Sequence, residues 1–361
     1  MSQATQPMIA KKKLDWSQPV LPPDVRPQRT KRPAAHGTKP KSTLPSVGIV
    51  SPALAGANNG NWQTATRYRQ MLAGQFRVRL VSEWDGAESD AVLIALHARR
   101  SYPSIAAWHA ARGSSGLVVV LTGTDLYRDI RQDVQSQQSL EWAACLVVLQ
   151  ATGLSELAAP LRKKTTVLLQ STTPRVTLPK AIGRLRAVMV GHLRAEKAPQ
   201  TLFEAVALLA AQHEIEFRHI GAEHDVHLAQ RARQTAQQYP QYQFMGELNH
   251  AATRRQIQRA HVLVHTSIME GGAHVLMEAI CSGVPVIASR IAGNIGMLGE
   301  DYAGLFEVGD AQGLAALLLK FKNEPIFANR LQKQCARRAP LFEPAHERSG
   351  LITIVNHALW A

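Results

Sequence analysis

The stretch SIMEGGAHVLMEA, Ser267 to Ala279, sets two carboxylates, Glu270 and Glu278, on either side of the glycine pair Gly271 and Gly272. The preceding HVLVHTSIM reads as a strand and its exit loop. The following AHVLMEAICSG reads as a helix that ends near Gly283 and Pro285. Adjacent glycines let a backbone approach a ligand closely. The first helical turn, from Ala273, offers unpaired N–H groups and a partial positive charge, which together suit an anion. Glu270 then stands at the mouth of a site and Glu278 two turns further in. A nucleotide sugar has the matching layout, with a diphosphate for the amides, sugar hydroxyls beyond it, and a ribose diol further back. A carboxylate can accept both hydrogen bonds of a vicinal diol. The plainer reading is a solvent-facing glutamate pair flanking a glycine-rich helix start.

Such a site needs strands and helices to hold it, and the chain supplies them in series. From residue 47 short apolar runs (SVGIVS, FRVRLVS, AVLIALH, GLVVVLTG, CLVVLQ, TTVLLQS) alternate with helix-like stretches such as WQTATRYRQML, SIAAWHAAR and RQDVQSQQSLEWA. After a Pro-rich, basic connector near Ser171–Arg186 the alternation restarts with RAVMVG, EFRHIG, YQFMGEL, HVLVHTS, PVIASR and GLFEVG. Its helical stretches are TLFEAVALLAAQ, VHLAQRARQTAQQ, ATRRQIQRA, AHVLMEAICSG and GLAALLLKF. Near-continuous apolar strands alternating with helices imply parallel sheets covered on both faces. Two such series imply an α/β protein with two doubly wound domains facing across a cleft, lined by the loops at the strands' C-terminal ends. The expected limits are a first domain at 47–175, a linker at 176–186 and a second domain at 187–338. A C-terminal helical segment at 339–361 would cross back to the first domain.

A chain of 361 residues, 45% of them hydrophobic, is long enough for two cores. Its formal net charge of +14 is unevenly placed. Residues 1–46 hold nine Lys/Arg against Asp15 and Asp24, together with eight prolines, and read as a disordered basic extension. That extension carries half the excess charge, and the rest lacks basic–aromatic stripes, so a nucleic-acid partner is not expected. The Lys11–Lys13 cluster is followed by DWSQPVLPPD and not by an apolar segment, so no secretory signal is read there, and no run is long enough to span a membrane. Cys145, Cys281 and Cys335 are scattered and lack metal-type spacing, which suits a reducing compartment; a soluble, cytoplasmic protein is expected. GAEHDVH spaces His224 and His227 as a metal pair without a second set, and reads as a polar helix entry. Gly56-Ala-Asn-Asn-Gly60 and Gly293-Asn-Ile-Gly296 both miss the G-x-G-x-x-G spacing, and there is no P-loop lysine signature. Dehydrogenase and NTPase readings lose their support.

The run EGGAHVLMEAICSGVPVIAS, followed by AGNIGMLGEDYAGLFEVGDAQGLAALL, resembles the nucleotide-sugar glycosyltransferases of GT-B fold that carry an E-x7-E signature. The resemblance implies two Rossmann-like domains. It puts Glu270 on the donor sugar and Glu278 on the ribose hydroxyls. The following G-x-P-V-x-A-S is met by Gly283, Pro285, Val286, Ala288 and Ser289. A second family element, the loop after the first strand of the donor half, reads VGHLRAEKAPQTLFEA. By the resemblance Gly191 belongs to the donor loop and Lys197 neutralises the diphosphate, a task suited to a point charge. His192 stands where the family has its arginine, a departure that moves the second phosphate contact to Arg194.

ALHARRS, LTGTDLYRDI, NNGNW and the later RAPLF resemble one subgroup, the selenosugar synthases of selenoneine biosynthesis, from about Val47 to Phe342. That implies transfer of a sugar from UDP-N-acetylglucosamine or UDP-glucose to selenophosphate, forming a C–Se bond. The UDP-sugar is then a substrate, no cofactor or metal is implied, and the selenophosphate-producing enzyme becomes a candidate partner. Selenophosphate is small, multiply anionic and already nucleophilic, so it needs positive charge and hydrogen-bond donors more than a general base. Arg99, Arg100, Arg128, Thr122, Thr124 and the Gly123 amide are the expected acceptor contacts, with Asn59, Gly60, Asn61 and His97 beside them by resemblance. Asp125 would orient one arginine or help activate water. Rival readings are a GT-B enzyme acting on a sugar or lipid acceptor, and a UDP-sugar epimerase that transfers nothing.

Overall fold

A computed structural model describes residues 44–52, 60–87 and 89–360. The 1–46 extension up to residue 43, and Asn59, lie outside the described residues. The first six strands are β1 (Ser46–Val50), β2 (Arg77–Val81), β3 (Asp90–Leu96), β4 (Leu117–Leu121), β5 (Cys145–Val148) and β6 (Thr165–Val167). They form one parallel sheet in the order β2-β1-β3-β4-β5-β6. The second six are β7 (Leu185–Val190), β8 (Ile215–Ile220), β9 (Tyr242–Phe244), β10 (Val262–His265), β11 (Val286–Ser289) and β12 (Leu305–Phe306). Their order is β12-β11-β10-β7-β8-β9, again all parallel. Pairing begins at Ser46 and Leu185, slightly ahead of the limits drawn from the sequence. The carbonyls of Pro45 and Glu214 are already engaged there, by the amides of Arg77 and Leu185.

The strands read as continuous apolar runs because each sheet is covered on both faces. Along β3, Val92, Ile94 and Leu96 face one side while Leu93 and Ala95 face the other. The first side packs on the helix Gly60–Leu72 and on the C-terminal helix Pro344–Trp360, which contributes Leu351, Ile354, Val355 and Ala358. Burying each of the larger of these side chains stabilises by roughly 2 kcal/mol. The second side packs on Ile105 and Trp108 of the helix Tyr102–Arg112. A separate core fills the second sheet.

Capping follows the side-chain chemistry. Asp225, Asn249 and Asp310 accept first-turn amides at the starts of the helices Val226–Gln238, His250–Arg259 and Ala311–Asn323. Each such cap is worth about 1 kcal/mol. The polar entry expected at GAEHDVH is therefore the Asp225 cap. RQDVQSQQSLEWA, expected as one helix, is broken at Asp133. That residue is extended and accepts from the Ser136 amide at 2.7 Å, so the helix runs only over Val134–Trp142. Among the described residues, no helix is long and apolar enough to cross a membrane.

Candidate active site

Each sheet reverses its order once, between β1 and β3 in the first and between β7 and β10 in the second. Loops leaving strands at such points diverge and open a crevice. A cavity of about 930 Å³ lies where the two crevices meet. From the first half it is lined by Gly60, Asn61, His97, Arg100, Thr122, Gly123 and Thr124. From the second half come Gly191, Arg194, Lys197, Glu270, Gly271, Gly272, Ala273 and Glu278. Arg99, Asp125 and Arg128 are not on its wall.

On the second half, Lys197 Nζ donates to Glu270 Oε1, and Ser267 Oγ donates to the same oxygen at 2.8 Å. His265 Nε2 lies 3.5 Å from it. Burial by itself would raise the Glu270 pKa. The Lys197 ammonium and the His265 contact outweigh it, and the carboxyl is held well below the usual carboxylate range. The two groups expected on sugar and diphosphate thus hold each other. Glu278 sits deeper, with His250 Nε2 at 2.6 Å and Arg254 Nη1 at 3.4 Å. His192 is pushed down to about 4 by burial and by neighbouring His224, Arg194 and Lys197. Its ring stacks on that of His224 at 4.5 Å, and its Nδ1 accepts from the Ala222 amide. A neutral imidazole therefore occupies this place.

The glycine pair serves a purpose the sequence did not suggest. A side chain at Gly271 would run into the Thr122 carbonyl and the Gly123 amide of the opposite half, and one at Gly272 into Leu149. The absent Cβ atoms admit the other domain. The helix that follows is short, His274–Ile280, and its N-cap Ala273 provides no side-chain cap.

On the first half, His97 follows β3 in the left-handed region at φ 74°, a strained backbone for a non-glycine residue. Its Nδ1 accepts from the Arg100 amide at 3.2 Å, which leaves Nε2–H for Thr124 Oγ1 at 2.9 Å. Asp125 departs from expectation. It is fully buried, and its carboxylate accepts from the amides of Ala98, Thr122 and Gly123. It shapes the loop and is absent from the cavity wall. The three arginines also separate. Arg100 faces the cavity, whereas Arg99 lies 3.8 Å from Asp129 and 3.5 Å from Asp133, and Arg128 donates to Asp129 at 3.0 Å. Arg99 and Arg100 are consecutive in a turn, so their side chains diverge. Arg67 and His274 also line the cavity, and Arg254 holds Glu278 from behind; neither arginine lies in a motif, and the sequence reading gives His274, inside the EGGAHVLMEA run, no role.

Residues 174–339 match the family model for glycosyl transferases of group 1. No curated protein matches the sequence. Among solved structures, sucrose-phosphate synthase from Thermosynechococcus elongatus superposes with a TM-score of 0.70 at 18% identity, covering 87% of this chain and 98% of that one. Anabaena HepE in complex with UDP-glucose gives 0.69 at 13% identity, covering 86% and 99%. A UDP-forming α,α-trehalose-phosphate synthase from Burkholderia vietnamiensis gives 0.61 at 12%, covering 74% of each. At these identities the likeness is one of fold, and the fold is GT-B.

Proposed function

We propose that this chain, whose residues 174–339 match the family model for glycosyl transferases of group 1, moves a sugar from a UDP-sugar to selenophosphate and so makes the selenosugar of selenoneine biosynthesis. The observation that carries the transferase reading is the shared cavity. It gathers Lys197, Glu270 and Glu278 from one half against His97, Arg100 and the 122–124 loop from the other. UDP as the carrier is supported by the fold likeness to a protein seen with UDP-glucose and to a UDP-forming synthase. UDP-N-acetylglucosamine and UDP-glucose are the candidate donors. Selenophosphate rests on the resemblance of NNGNW, ALHARRS and LTGTDLYRDI, together with an arginine beside hydroxyl and amide donors on the acceptor side.

In this reading a selenium lone pair of the acceptor attacks the sugar C1. The C1–O bond breaks, its electron pair leaves on UDP, and no acceptor proton has to be removed. Lys197 and Arg194 lie where the departing charge accumulates, and the 271–273 amides join them. Glu270, kept ionised, faces the sugar as it gains positive character. Glu278 and His250 take the ribose.

The test is to incubate purified protein with either UDP-sugar, with and without freshly made selenophosphate, and to follow UDP release and product masses. Selenophosphate-dependent UDP release with a selenium-bearing sugar is the expected result. UDP-sugar binding without a selenium product would overturn the acceptor and leave a glycosyltransferase with another one.

A further inference from the structure

Beside the main cavity opens a recess of about 570 Å³, and the two share a wall that includes Arg67, Gln70 and Ser171–Thr173. Arg67, on the helix Gly60–Leu72, is largely buried. Its Nε donates to both carboxylate oxygens of Glu347, at 3.0 and 2.8 Å. Glu347 comes from the C-terminal helix, is itself buried, and also accepts from the Ser171 amide and hydroxyl. The guanidinium is therefore fixed by three segments of the chain. Its other edge turns toward the donor half, with Nη1 2.5 Å from His274 Nε2. Burial, and then the charges of Arg67, His250 and Arg254, hold the His274 imidazole neutral, so Nε2 is the acceptor in that contact.

Nη2 of Arg67 is buried and has no hydrogen-bond partner among the described residues. An unmet N–H on a buried cation is costly, and such groups in folded proteins find a partner. Arg348 lies on the recess wall, one residue beyond Glu347, and anchors its Nε on the Met71 carbonyl at 3.2 Å. A fixed guanidinium with an unmet N–H and a second arginine on the same recess wall together match a tetrahedral oxyanion.

We propose that Arg67 is the anchor of a phosphate-type anion bound where the cleft meets this recess, and that this anion is the charged group of the acceptor. The word acceptor rests on the transfer reading above; the anion site does not. Arg67 suits this task better than the expected Arg99, which is turned to Asp129 and Asp133.

The probe is radiolabelled inorganic phosphate in equilibrium dialysis, with UDP at saturation to occupy the donor's own phosphate site. Wild type should show one saturable site. Arg69→Gln, an exposed change of equal charge on the same helix, should bind alike. The charge-neutral pair Arg67→Gln/Glu347→Gln should bind about ten- to a hundredfold more weakly, the range for a lost hydrogen bond to a charged group. If that pair does not fold by circular dichroism, Arg67→Lys carries the test. It keeps a charge for Glu347, loses the second edge, and should weaken binding at least about tenfold. No saturable phosphate in wild type, or equal affinity in the Arg67 variants and Arg69→Gln, overturns the proposal. A protein that fails to bind UDP sinks the donor reading alone, since the phosphate comparison then runs without UDP.

Discussion

Glu270 owes its ionised state to Lys197, and removing the lysine exposes the dependence. With the ammonium gone, burial acts on the carboxyl with only His265 and the Ser267 hydroxyl opposing it. Lys197→Ala should therefore raise the Glu270 pKa, move the acid limb of kcat/KM to higher pH, and weaken UDP binding about tenfold. A pH profile that keeps its acid limb in place would show that Lys197 does not control that carboxyl. Glu278→Gln preserves shape but removes the charge that faces Arg254 and His250. UDP affinity by calorimetry should fall about tenfold or more, and unchanged affinity would count against a ribose contact. On the acceptor side the two adjacent arginines should differ. Arg100→Ala should abolish most transfer while sparing UDP-sugar binding, and Arg99→Ala should cost little, because Arg99 faces Asp129 and Asp133. Equal losses would put both on the substrate.

The loop between β10 and the helix His274–Ile280 is one place where the two domains touch, with Gly271 set against the Thr122–Gly123 backbone. A methyl group there meets the Thr122 carbonyl, which is backbone and cannot swing aside. Gly271→Ala should separate the halves at this point and reduce kcat by about a hundredfold, the effect expected of a misplacement near 1 Å. UDP binding should survive, because the contacts proposed for it lie on the second half alone. Calorimetry and steady-state kinetics on one preparation decide this, and parallel loss of UDP binding would show that the glycine serves the ligand instead. The Asp133 break has a comparable origin. Its side chain competes with the backbone for the Ser136 amide and ends one helix to begin another.

Among the described residues, five histidines share one electrostatic condition. Burial lowers the pKa of His192 and His219 to about 4, and lowers those of His261, His265 and His274 as well. The unfolded chain takes up these protons near the ordinary value of 6.5, while the folded chain resists them. The unfolded state thus binds more protons throughout the interval, so stability rises with pH across it and is lost as pH falls from 6.5 toward 4. Urea midpoints at pH 7.5, 6 and 5 should descend with a constant slope; a flat series would show that these imidazoles are not buried neutral. Glu270, with its lowered pKa, adds a loss only below its unfolded value of 4.5.

Some of this was legible in the linear chain, and the reason is local. A β-branched run between turn residues must become a buried strand, so two parallel sheets followed from SVGIVS, AVLIALH, RAVMVG and HVLVHTS. Glu270 and Glu278 stood out because both lie in one strand–loop–helix unit, whose geometry depends on near neighbours. What the chain could not disclose were contacts between residues far apart in number. Arg67 meets Glu347 because a C-terminal helix returns to the first sheet, and His274 because the two halves meet there. Arg99 and Arg100 looked equivalent until a turn aimed them in different directions. Gly271 read as room for a ligand, yet its space is filled by a carbonyl some 150 positions away, at Thr122. Pattern determines which face of an element is buried; only the packed molecule decides what lies against it.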